Sequence, residues 1–158
     1  MIGVGSQFGI QLAYAEQPSP EDLTQAFIIE KAFIAGDDVC FGLGDNIFYG
    51  AVLRKLLSES VRKVQEQKQA VIFGDYVENI ERYVIAEFNA VGKVLSIEEK
   101  SKAPKSNYAV VGLYFHPNSV VQGSENVQSS TRGELQIILV KQNYLAEENL
   151  NVQIISWF

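Results

Sequence analysis

Val39-Cys40-Phe41-Gly42-Leu43-Gly44-Asp45-Asn46-Ile47-Phe48-Tyr49-Gly50 is the stretch that decides the fold. Val39 to Leu43 is a continuous apolar run, which reads as a strand of the kind buried on both faces of a parallel sheet. Gly44-Asp45-Asn46 then makes a short acidic turn. From Ala51 to Gln67 the pattern becomes helical. Val52, Leu53, Leu56, Leu57, Val61 and Val64 fall on one side, against Arg54, Lys55, Glu59, Arg62 and Lys63 on the other. The order is strand, turn, helix. In an open α/β sheet, ligands sit in the crevice beyond the carboxyl ends of the strands. A carboxylate placed there can hold Mg²⁺ and, through it, phosphate oxygens. Asp45 is therefore the first candidate residue. The plain alternative is that Asp45 or Asn46 caps the following helix, and the turn by itself does not choose between them.

Upstream, Ser19-Pro20-Glu21-Asp22 has the form of a helix start, with Ser19 as N-cap and Pro20 at the first helical position. Leu23, Ala26 to Ile29 and Ala32 to Ile34 give that helix a broad apolar face, and Gly36 is expected to stop it. Downstream, Ala70 to Phe73 begins another buried strand. Tyr83 to Phe88 and Lys93 to Glu98 flank Asn89-Ala90-Val91-Gly92, which predicts a hairpin. Asn107 to Phe115 predicts a long strand, 133–148 a helix, and Leu150 to Trp157 a last strand. The result is an α/β sheet domain with antiparallel pairing in its second half.

At 158 residues the chain is one domain's worth, and 47% hydrophobic content is enough for a packed core. No apolar run reaches the roughly 18 residues of a membrane span. The first residues, Met1 to Gln7, lack the basic and apolar regions of a signal peptide, so a cytoplasmic protein is expected. The formal net charge is -6 with the basic residues scattered, which argues against a nucleic-acid-binding face. Cys40 is the only cysteine, which excludes an internal disulfide and a cysteine-based zinc cluster; its apolar neighbours mark it as a core residue. His116, before Pro117, reads as a loop residue.

Six spaced segments go beyond pattern: Glu16-Gln17-Pro18-Ser19-Pro20, Leu43 to Gly50, Glu81-Arg82-Tyr83, Glu98-Glu99-Lys100, Lys105 to Tyr114, and Arg132-Gly133-Glu134-Leu135. With these in this order, the chain resembles the bacterial glucose-1-phosphate thymidylyltransferases, from about Gly5 to its end. The resemblance implies nucleotidyl transfer from dTTP to glucose 1-phosphate, giving dTDP-glucose and pyrophosphate in the dTDP-rhamnose pathway. Such chemistry needs in-line positioning and neutralised phosphate charge more than a protein nucleophile. The resemblance further implies nucleotide contacts from Gln17, Asp45 and Asn46, with Gln17 on the base, and a Mg²⁺ held in part by Asp45. A sugar and phosphate pocket would use Tyr83, Glu99, Lys100, Val110 and Tyr114. It implies a homo-oligomer, with pairing to a full-length relative as a separate reading; the scattered charge and the lack of an apolar span argue against nucleic acid and membrane as partners.

The fold class expected is α/β: an incomplete Rossmann-like nucleotidyltransferase domain with a mixed sheet, spanning residues 1–158. The family's first strand and its Gly-rich Leu-Ala-Gly-Gly-x-Gly-Thr-Arg loop are lacking, as is its second metal-binding Asp. Catalysis by the chain itself is accordingly expected to be absent or very weak, and the Val39–Leu43 strand is expected to present an unpaired edge. Asp22 and Val84 stand where the family pattern has Gly, and Ser101 where it has Pro. Gln136 and Ile138 to Val140 replace acidic and polar residues. A noncatalytic nucleotide-sugar-binding or assembly module is the alternative, and a relative specific for another base or sugar is a third reading.

Overall fold

The computed structural model describes residues 3–18, 23–99, 104–126 and 143–155. Its centre is β5 (Tyr108–His116), whose two edges are used differently. One edge carries β2 (Ala70–Tyr76) antiparallel along Tyr108 to Phe115, and β6 (Leu150–Ile154) lies parallel to β2 beyond it. The other edge is shared. β3 (Val84–Phe88) meets it at Ala109, and β1 (Val39–Gly42) covers Leu113 to His116. β4 (Val94–Glu99) completes the hairpin with β3. Asn89 builds the hairpin loop, its Oδ1 accepting the Val91 and Lys93 amides at 3.1 and 3.0 Å.

Each face of the sheet carries its own core. On one, α1 (Gln25–Ile29) and α4 (Ser119–Glu125) bring Phe27, Val120 and Val121 against Ala70, Ile72, Tyr114 and Val152. On the other, α3 (Leu53–Gln67) packs Leu56, Leu57 and Val64 against Val71, Phe73, Leu113 and Phe115. This is a mixed α/β sheet between helical layers, and the sequence pattern called for one.

Several local expectations are corrected. β1 is not a parallel strand buried on both faces. It pairs antiparallel with β5 and alternates half-buried with exposed residues. Among the described residues it bonds no other strand, so its outer edge is open. Cys40 is consequently exposed rather than in the core. It lines a cavity with Val61, Val64 and Phe115, and partial burial raises its thiol pKa above the ordinary value. His116 is the reverse case. It is the last residue of β5, fully buried, edge-on to Phe27 at 5.8 Å and stacked on Tyr114 and Tyr144.

The first helix is also shorter than its pattern. The proposed Ser19 start lies outside the described residues, as do most of residues 133–148, of which 143–146 are helical. α1 begins after Thr24 and breaks at Glu30, with α2 (Lys31–Ile34) following. The helix stops at Ala35 rather than Gly36, with φ 50° and ψ -112°. Asn118 steadies that turn by donating its side-chain amide to the Ala35 and Asp37 carbonyls.

Candidate functional site

β3 ends its contact with β5 near Ala109, and β1 begins its own at Leu113. Between them the β5 edge from Val110 to Gly112 is left for the turn after β1. The Leu43 amide donates to the Gly112 carbonyl at 2.8 Å, extending the ladder by one residue. The Asn46 amide then bonds back to the Leu43 carbonyl at 3.1 Å and closes a four-residue turn. In return the Gly112 amide donates to Asn46 Oδ1 at 3.1 Å, and Asn46 Nδ2 donates to Asp45 Oδ1 at 2.8 Å. Both backbone groups of Gly112 are thus satisfied by one turn.

That geometry rules out the capping account of this turn. α3 starts at Leu53 with Val52 at its N-cap and no side-chain cap bond. Asp45 is exposed at the carboxyl end of β1, at the place where an α/β sheet binds its ligands.

The sugar-side candidates occupy the neighbouring strands. Val84 pairs with Glu99, and Ile85 with Ala109. This register sets Glu99, Val84 and Val110 in one row across β4, β3 and β5. Val110 lies two residues from Gly112, about 7 Å along the strand. Asn46, with Asp45 bonded to it, thus meets the β5 edge two residues from Val110, and Glu99 lies two strands away in Val110's row. Tyr83 sits at the entry to β3, 46% exposed. Tyr114 shares a strand face with Val110 but is only 5% exposed, its ring 6.1 Å from Phe41. Desolvation pushes its phenol up to about 12. Gln17 is exposed and tied to α1, its amide donating to Gln25 Oε1 at 3.0 Å. Lys100 lies outside the described residues, as do Asp22, Ser101, Gln136 and Arg132 to Leu135.

Leu43 and Gly112 are the site residues that reasoning from pattern did not single out. A Cβ at residue 112 would meet Leu43 side-chain carbons at 2.7 to 2.8 Å, so the turn docks only because position 112 is glycine. The available signal was a glycine inside an otherwise bulky strand, which marks close approach. A cavity of about 360 Å³ between α4 and residues 143–147 contains none of the candidates.

Among the described residues no three of His, Cys, Asp or Glu converge as a metal cluster. Mg²⁺ is usually held by one or two carboxylates together with substrate phosphates and water. Asp45 fits such a site as one corner of it. No described helix is long and apolar enough to cross a membrane.

Residues 1–157 match the nucleotidyl transferase family. A glucose-1-phosphate thymidylyltransferase of Neisseria meningitidis is 44% identical over 156 residues, 99% of this chain and 53% of the relative. One from Mycolicibacterium smegmatis is also 44% identical, with the same coverage. The chain thus spans about half the length of the curated relatives it matches. A Bacillus anthracis protein, provisionally assigned as a glucose-1-phosphate thymidylyltransferase and solved with sucrose, superposes with a TM-score of 0.82 at 30% identity. That match covers 99% of this chain and 62% of the other. A UTP-bound UDP-glucose pyrophosphorylase of Acinetobacter baumannii shares the fold at TM-score 0.73 and 22% identity, over 90% of this chain and 52% of that one. On the match across 1–157 and these relatives, the chain belongs to the nucleotidyl transferase family.

Proposed function

We infer that the chain carries the nucleotide corner and part of the sugar-phosphate pocket of a glucose-1-phosphate thymidylyltransferase. In that reaction a phosphate oxygen of glucose 1-phosphate attacks the α-phosphorus of dTTP. The bond to the β-phosphate breaks, and dTDP-glucose and pyrophosphate form. The observation that carries this reading is the Asp45–Asn46–Gly112 linkage set beside the row Val110–Val84–Glu99.

The residues divide the work by chemistry. The Gln17 side-chain amide, donor and acceptor together, suits the edge of thymine or uracil. Asp45 meets the nucleotide and its metal, with Asn46 beside it bonded to both Asp45 and Gly112. Glu99 accepts hydrogen bonds from glucose hydroxyls, Lys100 meets the sugar's phosphate, and Tyr83 and Val110 wall the pocket above a buried Tyr114. Mg²⁺ held in part by Asp45 would neutralise phosphate charge. The 158 residues hold no Gly-Gly-x-Gly-Thr-Arg loop to cradle a triphosphate, so binding is expected to be measurable and turnover by this chain very weak. We place the protein in the cytoplasm, in nucleotide-sugar synthesis for the dTDP-rhamnose pathway.

Isothermal titration with dTTP, UTP and dTDP-glucose in Mg²⁺ tests the reading. Binding of a thymidine nucleotide that weakens on Asp45→Ala is expected, and failure to bind any of the three would overturn it. The open edge of β1 favours a second reading, an assembly module that pairs with another chain. Capture of an intact thymidylyltransferase subunit by this chain, without nucleotide binding, would select it.

A further inference from the structure

The geometry points to Asn46 as a positioning residue for Asp45, fixing the carboxylate to the sheet instead of serving the nucleotide directly; this rests on the functional reading above. A side-chain amide has one acceptor end and one donor end. The Gly112 N–H takes the acceptor end at 3.1 Å, which leaves only the NH₂ group to face Asp45, 2.8 Å from Oδ1. The amide's orientation is therefore dictated by β5. Gly112 is itself held from the same side, because its carbonyl accepts the Leu43 amide at 2.8 Å and Leu43 covers its α-carbon. The central strand thus sets the direction of an exposed carboxylate through one side chain. Groups that orient a metal-binding carboxylate typically change metal affinity by about 10- to 100-fold when removed.

The test is a double-mutant cycle on the 158-residue chain, with Mn²⁺ and dTTP as probe and water-proton relaxation as readout. Asn46→Ala is expected to weaken Mn²⁺–dTTP binding about 10- to 100-fold, while metal-free dTTP binding stays within twofold. In an Asp45→Asn background the same substitution is expected to have no further effect. Equal losses in both backgrounds, or a matching loss of metal-free dTTP binding, would make Asn46 a direct nucleotide contact and overturn the proposal alone. A native chain that binds neither Mn²⁺–dTTP nor dTTP would overturn the functional reading and this proposal with it. Should circular dichroism show Asn46→Ala unfolded, Asn46→Ser replaces it. Serine keeps a polar turn-forming side chain yet is too short to bridge Gly112 and Asp45.

Discussion

The side chain of Leu43 lies directly over the α-carbon of Gly112, where a Cβ would come within 2.8 Å of its Cβ and Cγ. The contact joins the turn carrying Asp45 to the central strand, so packing and site geometry depend on the same few atoms. Gly112→Ala forces Leu43 outward from near its root, where no rotamer change relieves it. Overpacking of this kind costs about 1 to 3 kcal/mol. A lowered melting temperature and weaker nucleotide binding are expected together. Leu43→Ala in the Gly112→Ala chain should recover part of the loss, and a fully additive double mutant would show that the two side chains do not compete for space.

Tyr114 provides a pH test of the core beneath the site. Burial pushes its phenol up to about 12 from an ordinary 10. The folded state then keeps a proton that the unfolded chain releases between those values. Stability is fully present below pH 10 and falls as pH rises toward 12, by up to about 3 kcal/mol. Tyr144, also raised by burial, adds in the same direction. Melting temperatures from pH 9 to 12 should show the decline, and Tyr114→Phe should flatten much of it. A tyrosinate titration at 295 nm completed by pH 10.5 in the folded protein would contradict this.

Most of the architecture was legible in the sequence because strand and helix periods are local. The Leu53–Gln67 helix, the β3–β4 hairpin and the long β5 all follow from apolar spacing and turn residues. Cys40 and His116 were misread for one shared reason: their burial is decided by which strands pair. An apolar run such as Val39 to Leu43 has the same composition at a sheet's centre and at its edge, and β1 is at an edge. His116 precedes a proline, but β1 covers it from the side and Phe27 from α1, contacts about 75 to 90 residues away in sequence. At the site, Asp45 was visible from its place after a strand. Its coupling to Gly112 was not, since that bond joins residues 66 apart.

The corrected position of Cys40 is checkable by labelling. An exposed thiol on an open strand edge should react with a disulfide reagent in the native chain. Its raised pKa leaves less thiolate near neutral pH than a free thiol has, so the rate should fall below that of glutathione. Stoichiometric labelling without loss of helical signal is expected. Reaction only in denaturant would return Cys40 to the core.

Under the proposed function, Val84 would bear on how much sugar fits beside Glu99 and Val110. It stands between Glu99 and Val110 in the row across the hairpin, half-buried and packed against the main core. A hexose bound between those two neighbours would compete with its branched side chain for space. Val84→Gly opens that space, but it also removes an apolar contact and loosens a strand, at a combined cost of about 2 kcal/mol. Val84→Ala should retain more stability and open less space. Glucose 1-phosphate binding, followed by ligand-observed NMR, is expected to strengthen from Val to Ala to Gly while the melting temperature falls in the same order. If binding stays flat as stability drops, Val84 serves the core only, and the sugar approaches Glu99 from another side.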